Sequence, residues 1–262
     1  MKAGQPNWGS GSRFFLPNED AAVVCAALEI LGRNVRRPVF VGGSGMVLLE
    51  AAAGLPSLEQ VTFVDIAVFQ FDYFREFLRA VAQAESPTLL REWFSSAVYP
   101  NLRDHYRRRG QEYGLDQVMA ALAGRFGVSF FFDPQTLCRV REMVEKAKVV
   151  RDDIVSYLDR QEDTHDFIYL SNVPDYLTGT AVERLFAACR AQRAPVYLLT
   201  TSACPDREGL RRCWESQGYS LHPASDRLNG ENRGLGSASL DRSWNRPGSI
   251  HLLIPNPAGD RQ

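Results

Sequence analysis

The chain has 262 residues, 30 Lys+Arg against 31 Asp+Glu, a formal net charge of −1, and 45% hydrophobic against 23% charged residues. That balance belongs to a globular protein long enough to bury a core without disulfide or metal staples, and it excludes a disordered polyelectrolyte. Without an excess of Lys/Arg to neutralise phosphates, general nucleic-acid binding is not expected. No run of about 18 apolar residues occurs, so no membrane span is expected. Met1 to Ser12 is polar and Gly-rich and lacks an apolar signal core. Cys25, Cys138, Cys189, Cys204 and Cys213 form no C-x-x-C pair. His105, His165, His222 and His251 are scattered. The expectation is a cytoplasmic protein with reduced thiols and no metal site.

In chain order, Asn18 to Leu31 reads as a helix with Asn18 as its cap and Gly32 as its stop. Val39-Phe40-Val41 reads as a strand that runs through Gly42-Gly43-Ser44-Gly45 into a helix over Met46–Ala53, stopped by Gly54. Val61–Val64 reads as a buried strand closed by Asp65, and Phe71, Phe74, Leu78 and Val81 recur at helical spacing. Residues 85 to 127 read as an insertion of short helical pieces beside the main sheet. Val128 to Phe132 is an apolar run, followed by Asp133 and Pro134 as cap and first turn of a helix through Lys146.

The second half is more regular. Lys148–Val150 leads to Arg151-Asp152-Asp153, and Phe167–Leu170 leads to Ser171-Asn172-Val173-Pro174-Asp175-Tyr176. Thr180 and Glu183 form a capping-box pattern. Pro195–Leu199 reads as a strand, about Pro205 to Gln217 as a helix, and Tyr219–Leu221 and Ile250–Ile254 as two last strands. These flank a Gly/Ser/Asn/Arg-rich segment, Ser225 to Gly248. Strands alternating with helices predict an α/β fold, a mostly parallel sheet with helices on both faces and the ligand at the carboxyl ends of the strands.

Three strand ends carry the chemistry. Gly43 and Gly45 around Ser44 let backbone approach a ligand and turn sharply into a helix, or simply make a tight strand-to-helix turn. Leu48 stands where a dinucleotide fingerprint has its third glycine, which lowers a nicotinamide reading. Asp65, 20 positions after Gly45, can accept ribose hydroxyl protons or cap the next helix. Asp152 and Asp153 can meet an adenine amino group or form a solvated acidic turn. The crowding of hydroxyl, amide, carboxylate and phenol at Ser171, Asn172, Asp175 and Tyr176 is unusual for a plain loop.

The order VFVGGSG, VTFVD, VVRDDI, FIYLSNVPDY resembles the class I S-adenosylmethionine-dependent transferases with their Rossmann-like fold. DFIYLSNVPDYL, with Leu240-Asp241-Arg242-Ser243 before the last strand, resembles the 3-amino-3-carboxypropyl transferases, a branch that includes betaine-lipid synthases. Within it the chain looks most like the bacterial azetidine-2-carboxylate synthases. The resemblance runs from about Asn18 to Ile254 and is weakest over the insertion. It implies one S-adenosylmethionine-binding domain over residues 1–262, and the Gly-rich N-terminal stretch of about 1–17, with the isolated Trp8, reads as a lid. It also implies a small-molecule substrate and no metal. Many class I methyltransferases carry an acidic residue two positions before the first motif glycine. Here that position is Val41, which implies that the methionine moiety is held differently.

The resemblance implies that Gly43, Ser44 and Gly45 line the methionine and ribose side, that Asp65 holds the ribose, and that Asp153, with Asp152 beside it, reads the adenine edge. Ser171, Asn172, Asp175 and Tyr176 then face the amino-carboxypropyl arm. Asn172 and Tyr176 would hold a neutral amine, with Asp175 as a positioning group first and a base second. Phe130-Phe131-Phe132 can form an apolar wall, with Phe132 toward the sulfonium, or a buried strand. Arg242 can pair with the substrate carboxylate or sit exposed on the surface. The implied activity is cyclisation of S-adenosylmethionine with release of 5′-methylthioadenosine. Aminocarboxypropyl transfer to a small-molecule or lipid acceptor, methyl transfer, and nucleoside sensing without catalysis stand as alternatives.

Overall fold

The computed structural model describes residues 20–32, 35–108, 110–160, 164–177, 179–201, 204–234 and 249–257. The first half runs α1 (Ala21–Ile30), β1 (Val39–Val41), α2 (Met46–Ala53), β2 (Val61–Asp65), α3 (Val68–Gln83), α4 (Pro87–Trp93), a π-helical turn (Phe94–Val98), α5 (Tyr99–Arg107), α6 (Leu115–Gly124) and α7 (Pro134–Val144). The second half runs β3 (Ala147–Arg151), α8 (Ile154–Arg160), β4 (Ile168–Ser171), a 3-10 turn (Val173–Tyr176), α9 (Thr180–Gln192), β5 (Val196–Thr200), α10 (Arg207–Ser216), β6 (Tyr219–Leu221), α11 (Ser225–Gly234) and β7 (Ser249–Pro255).

The strands form one sheet in the order β3-β2-β1-β4-β5-β7-β6. The pairs among β3, β2, β1, β4 and β5 are parallel, and β7 lies antiparallel between β5 and β6. This is the doubly wound order 3-2-1-4-5-6 with one strand inserted near the edge. The predicted mostly parallel sheet is therefore present, and so is the helical insertion, as α4 through α6 with the π-helical turn between them.

Alternation along the strands feeds two cores. Phe40, Phe63, Tyr169 and Tyr197 point to the face covered by α1, α2, α3, α7 and the insertion. Val39, Val64, Ile168, Leu170, Val196 and Leu198 point to the face covered by α8, α9 and α10. With both faces covered, the strands read as continuous apolar runs, which is why the sequence shows them clearly. On the first face the rings form a ladder across neighbouring strands. Centroids lie 5.7 Å apart for Phe40–Phe63, 5.8 Å for Phe40–Tyr169 and 5.0 Å for Tyr169–Tyr197. Each buried ring contributes about 1.5–3 kcal/mol of transfer free energy, and each well-set ring pair about 0.5–1.5 kcal/mol beyond it.

The structure differs from the sequence reading at several points. Asn18 lies outside the described residues, and α1 is capped by Asp20, whose carboxylate accepts the Ala22 N–H at 2.7 Å. Thr180 is the first residue of α9 rather than its cap. The cap is Gly179, with no side-chain hydrogen bond, so the capping box is not formed. Phe130 to Phe132 lie in a turn rather than a strand. That turn is held from α2, where Glu50 accepts the N–H groups of Ser129 at 3.0 Å and Phe130 at 3.3 Å. The start of the polar segment after β6 is helical, as α11. It is tied to β7 by Asn229, which accepts the Ile250 N–H at 2.7 Å and donates to the Ile250 carbonyl at 2.9 Å.

Candidate functional site

β1 passes to β2 on one side of the sheet and β4 passes to β5 on the other. The loops after β1 and β4 therefore diverge and leave a crevice at the carboxyl ends of the strands. A cavity of about 360 Å³ opens there, within the range of small-molecule sites. Nine of the sequence-predicted residues line it: Gly43, Ser44 and Gly45 after β1, Asp65 at the end of β2, Asp152 and Asp153 after β3, and Ser171, Asn172 and Tyr176 after β4.

The glycine turn divides two tasks between its glycines. Gly43 and Gly45 both have positive φ, +48° and +72°. A Cβ on Gly45 would stand 1.9 Å from Cε2 of Phe74, so this glycine exists to let α3 pack against the start of α2. A Cβ on Gly43 would meet nothing within 4 Å, so this glycine faces open space at the cavity. Gly45→Ala should therefore lower stability by about 2–4 kcal/mol, through left-handed strain plus overpacking. A urea midpoint unchanged from the parent would contradict that packing account.

Asp65 is anchored by the backbone around it. Its carboxylate accepts the Ala67 N–H at 2.9 Å, and the nearby Gly43 N–H also favours its charged form. Burial pushes this carboxyl above its ordinary value, and the two N–H donors pull it partly back. Ile66 next to it is 66% exposed and lines the cavity, with Ala67 and Ile154. These apolar side chains were not singled out in the sequence. The signal for Ile66 was its place directly after a strand-end carboxylate. Across from them, Asp153 lines the cavity while one of its oxygens accepts the Ser156 N–H at 3.0 Å and so caps α8. Asp152 is ion-paired with Arg160.

At the end of β4 the backbone is strained. Ser171 has φ +48° without being glycine, and the β4–β5 register shifts between Tyr169 and Ser171. Bulges and left-handed non-glycine residues each cost free energy and gather where a side chain must be re-aimed. Here the result is a short polar row. Ser171 Oγ lies 3.5 Å from Asn172 Oδ1, and Asn172 Nδ2 donates to Tyr176 Oη at 3.3 Å. Tyr176 is 67% exposed. Ser171→Gly should remove the strain, raising stability by up to about 1 kcal/mol while lowering activity. A variant that loses stability would contradict the strain account.

Two expected site residues, Asp175 and Phe132, stand elsewhere. Asp175 is buried but does not line the cavity. Its carboxylate accepts the Thr201 N–H at 3.1 Å and also takes the Thr201 hydroxyl, which pins the 3-10 turn to the end of β5. Phe130 and Phe131 are fully buried in the first core, and Phe132 is 40% exposed under the Arg91 guanidinium, 5.6 Å from its ring centroid. None of the three rings lines the cavity, because the Glu50 clamp turns that segment toward α3 and α4. Arg242 and the N-terminal segment lie outside the described residues. Among the described residues, no group of three or more His, Cys, Asp or Glu side chains is arranged to hold a metal ion. No helix among them is long and apolar enough to cross a membrane.

No protein-family model and no curated protein sequence matches the chain. Among solved structures it is similar to the methyltransferase domain of bacterial CtHen1, at 12% identity over 91% of this chain and 98% of that one, with a TM-score of 0.48. It is similar to a TehB-like SAM-dependent methyltransferase from Corynebacterium glutamicum, at 10% identity over 89% of this chain and 87% of that one, with a TM-score of 0.41. It is also similar to the [4+2]-cyclase SpnF, at 12% identity over 90% of this chain and 81% of that one, with a TM-score of 0.45. The strand order, with β7 antiparallel between β5 and β6, makes this a Rossmann-like class I methyltransferase fold.

Proposed function

We propose that this chain binds S-adenosylmethionine in the crevice cavity and cyclises it to azetidine-2-carboxylate, releasing 5′-methylthioadenosine. The observation that carries this reading is the Ser171–Asn172–Tyr176 row, held by a strained strand end in the same cavity as Asp65. Asp65 offers a charged acceptor for ribose hydroxyls. Ile66, Ala67 and Ile154 offer apolar surface for the faces of the adenine, and Asp153 stands where the base edge would lie. The donors and acceptors after β4 then meet the amino-carboxypropyl arm.

In the cyclisation the substrate's neutral α-amine attacks its own γ-carbon. A nitrogen–carbon bond forms, the carbon–sulfur bond breaks, and its electron pair stays on sulfur. The positive charge passes from the sulfonium to the ring nitrogen, and the thioether leaves neutral. An α-amine has a reference pKa of about 7.7–8.0, so losing its proton to solvent near neutrality costs little. What the protein must supply is geometry, with amine and γ-carbon held about 3–3.5 Å apart and in line with the leaving sulfur. Asn172 and Tyr176 serve this by orienting the amine. Asp175 holds the turn that carries them and needs no role in proton transfer. We place the enzyme in the cytoplasm, as one domain, acting on a small molecule without a metal.

A second cavity, of about 380 Å³, favours one other reading, aminocarboxypropyl transfer to a separate acceptor. It lies among the 3-10 turn, α9 and α10, and shares Leu177 with the first. Incubation with S-adenosylmethionine alone separates the readings. Methylthioadenosine with a four-membered cyclic amino acid supports cyclisation. Methylthioadenosine formed only when an acceptor is added would move the assignment to intermolecular transfer, and S-adenosylhomocysteine would move it to methyl transfer.

A further inference from the structure

We propose that Gln70, in the first turn of α3 and outside the cavity lining, is the positioning residue that fixes the Gly43 peptide for the ligand. This inference rests on the reading of the cavity as the S-adenosylmethionine site. Gln70 is 2% exposed, and its Nε2 donates to the Gly43 carbonyl at 2.6 Å. Burying an amide side chain is costly unless its polar atoms are bonded, so a glutamine here is not explained by helix propensity or packing.

The need for such a contact follows from the two glycines. Gly45 is wedged by the Phe74 ring, and its conformation is set by packing. Gly43 has a left-handed backbone and open space where a side chain would be. Its carbonyl is held by Gln70, and its N–H lies near enough to Asp65 to favour the charged carboxylate. The chain of contacts is Gln70 to Gly43 to Asp65. Freeing the Gly43 carbonyl loosens the peptide, and the Asp65 carboxylate then loses part of the polar surroundings that favour its charged form.

Gln70→Leu keeps most of the side-chain volume and removes the donor, and Gln70→Met does the same with a more adaptable chain. By calorimetry we expect both to bind S-adenosylmethionine at least about tenfold more weakly than the parent, the loss of roughly one well-made hydrogen bond. The maximal rate at saturating substrate should change by less than about threefold. The acid limb of the kcat/KM profile should move to higher pH, because Asp65 loses a donor to its charged form. Arg151 beside Asp65 on β3, the Asp152–Arg160 pair and Asp153 are charged groups near it among the described residues, and the substitutions leave them in place. Unchanged affinity and an unmoved acid limb in a folded variant of either kind would overturn the assignment. Failure of the parent protein itself to bind S-adenosylmethionine would instead overturn the reading of the cavity.

Discussion

Replacing Asn172 by Ala, or Tyr176 by Phe, is expected to lower the rate of methylthioadenosine formation by about 10²-fold at saturating substrate, close to 3 kcal/mol of activation free energy. Substrate affinity should change by less than about fivefold. The difference is expected because the proposed reading puts the nucleoside against Asp65 and its apolar neighbours, away from the row after β4. The row after β4 matters only when the chain folds to bring amine and γ-carbon together. Tyr176 is 67% exposed, so loss of its hydroxyl does not harm the fold. Asn172 caps no long helix and is likewise replaceable. The measurement is steady-state product formation by liquid chromatography beside calorimetric binding. Unchanged product formation in both variants would remove these residues from the chemistry.

Asp65→Ala is expected to give the largest loss of binding, about 10²–10³-fold in Kd. On the proposed reading it would remove two hydrogen bonds from ribose hydroxyls to a charged acceptor, each contributing about 1.5–3 kcal/mol in general, less the cost of desolvating the carboxylate. The same group sets a pH dependence. Burial raises the Asp65 carboxyl above its ordinary value, and only the ionised form accepts both hydroxyl protons. Affinity should therefore be full at neutral pH and fall as pH drops through that raised value. The Asp65→Ala variant should bind weakly at every pH. Parent-like affinity in that variant would place the ribose elsewhere.

The legible parts of this molecule are those fixed by short-range physics. Val39–Val41, Val61–Val64, Phe167–Leu170 and Pro195–Leu199 are apolar runs because a parallel sheet covered on both faces leaves no polar side. Gly54 and Asp133 mark helix ends by their own backbone and side-chain preferences. The strand-end residues Gly43, Asp65, Asp153, Ser171 and Asn172 could be picked out because the fold delivers every parallel strand end to one edge. What stayed hidden depends on partners distant in sequence. Phe130 to Phe132 have the composition of a strand, and contacts from distant residues, the Glu50 carboxylate about 80 positions earlier and the Arg91 guanidinium on the Phe131 carbonyl, hold them as a turn away from the cavity. The helix α11 is too rich in Gly, Asn and charge to be read as helical, and its bonds to β7 supply what propensity lacks. Asp175 looked like part of a reactive cluster because its neighbours are. Its bond to Thr201, 26 positions later, gives it a structural task. Gln70 carries no motif at all.

Whether the substrate's own amine displaces the sulfur is read from the identity of the product. Methylthioadenosine alone does not decide, because attack by the substrate's carboxylate would release it too and give a five-membered lactone. The protein should be supplied with S-adenosylmethionine carrying a nitrogen-15 label in the α-amine, with no other acceptor, and the products followed by nuclear magnetic resonance. One equivalent of azetidine-2-carboxylate per methylthioadenosine is expected, with the labelled nitrogen bonded to the former γ-carbon. Homoserine lactone, S-adenosylhomocysteine or unconsumed substrate in its place would contradict it.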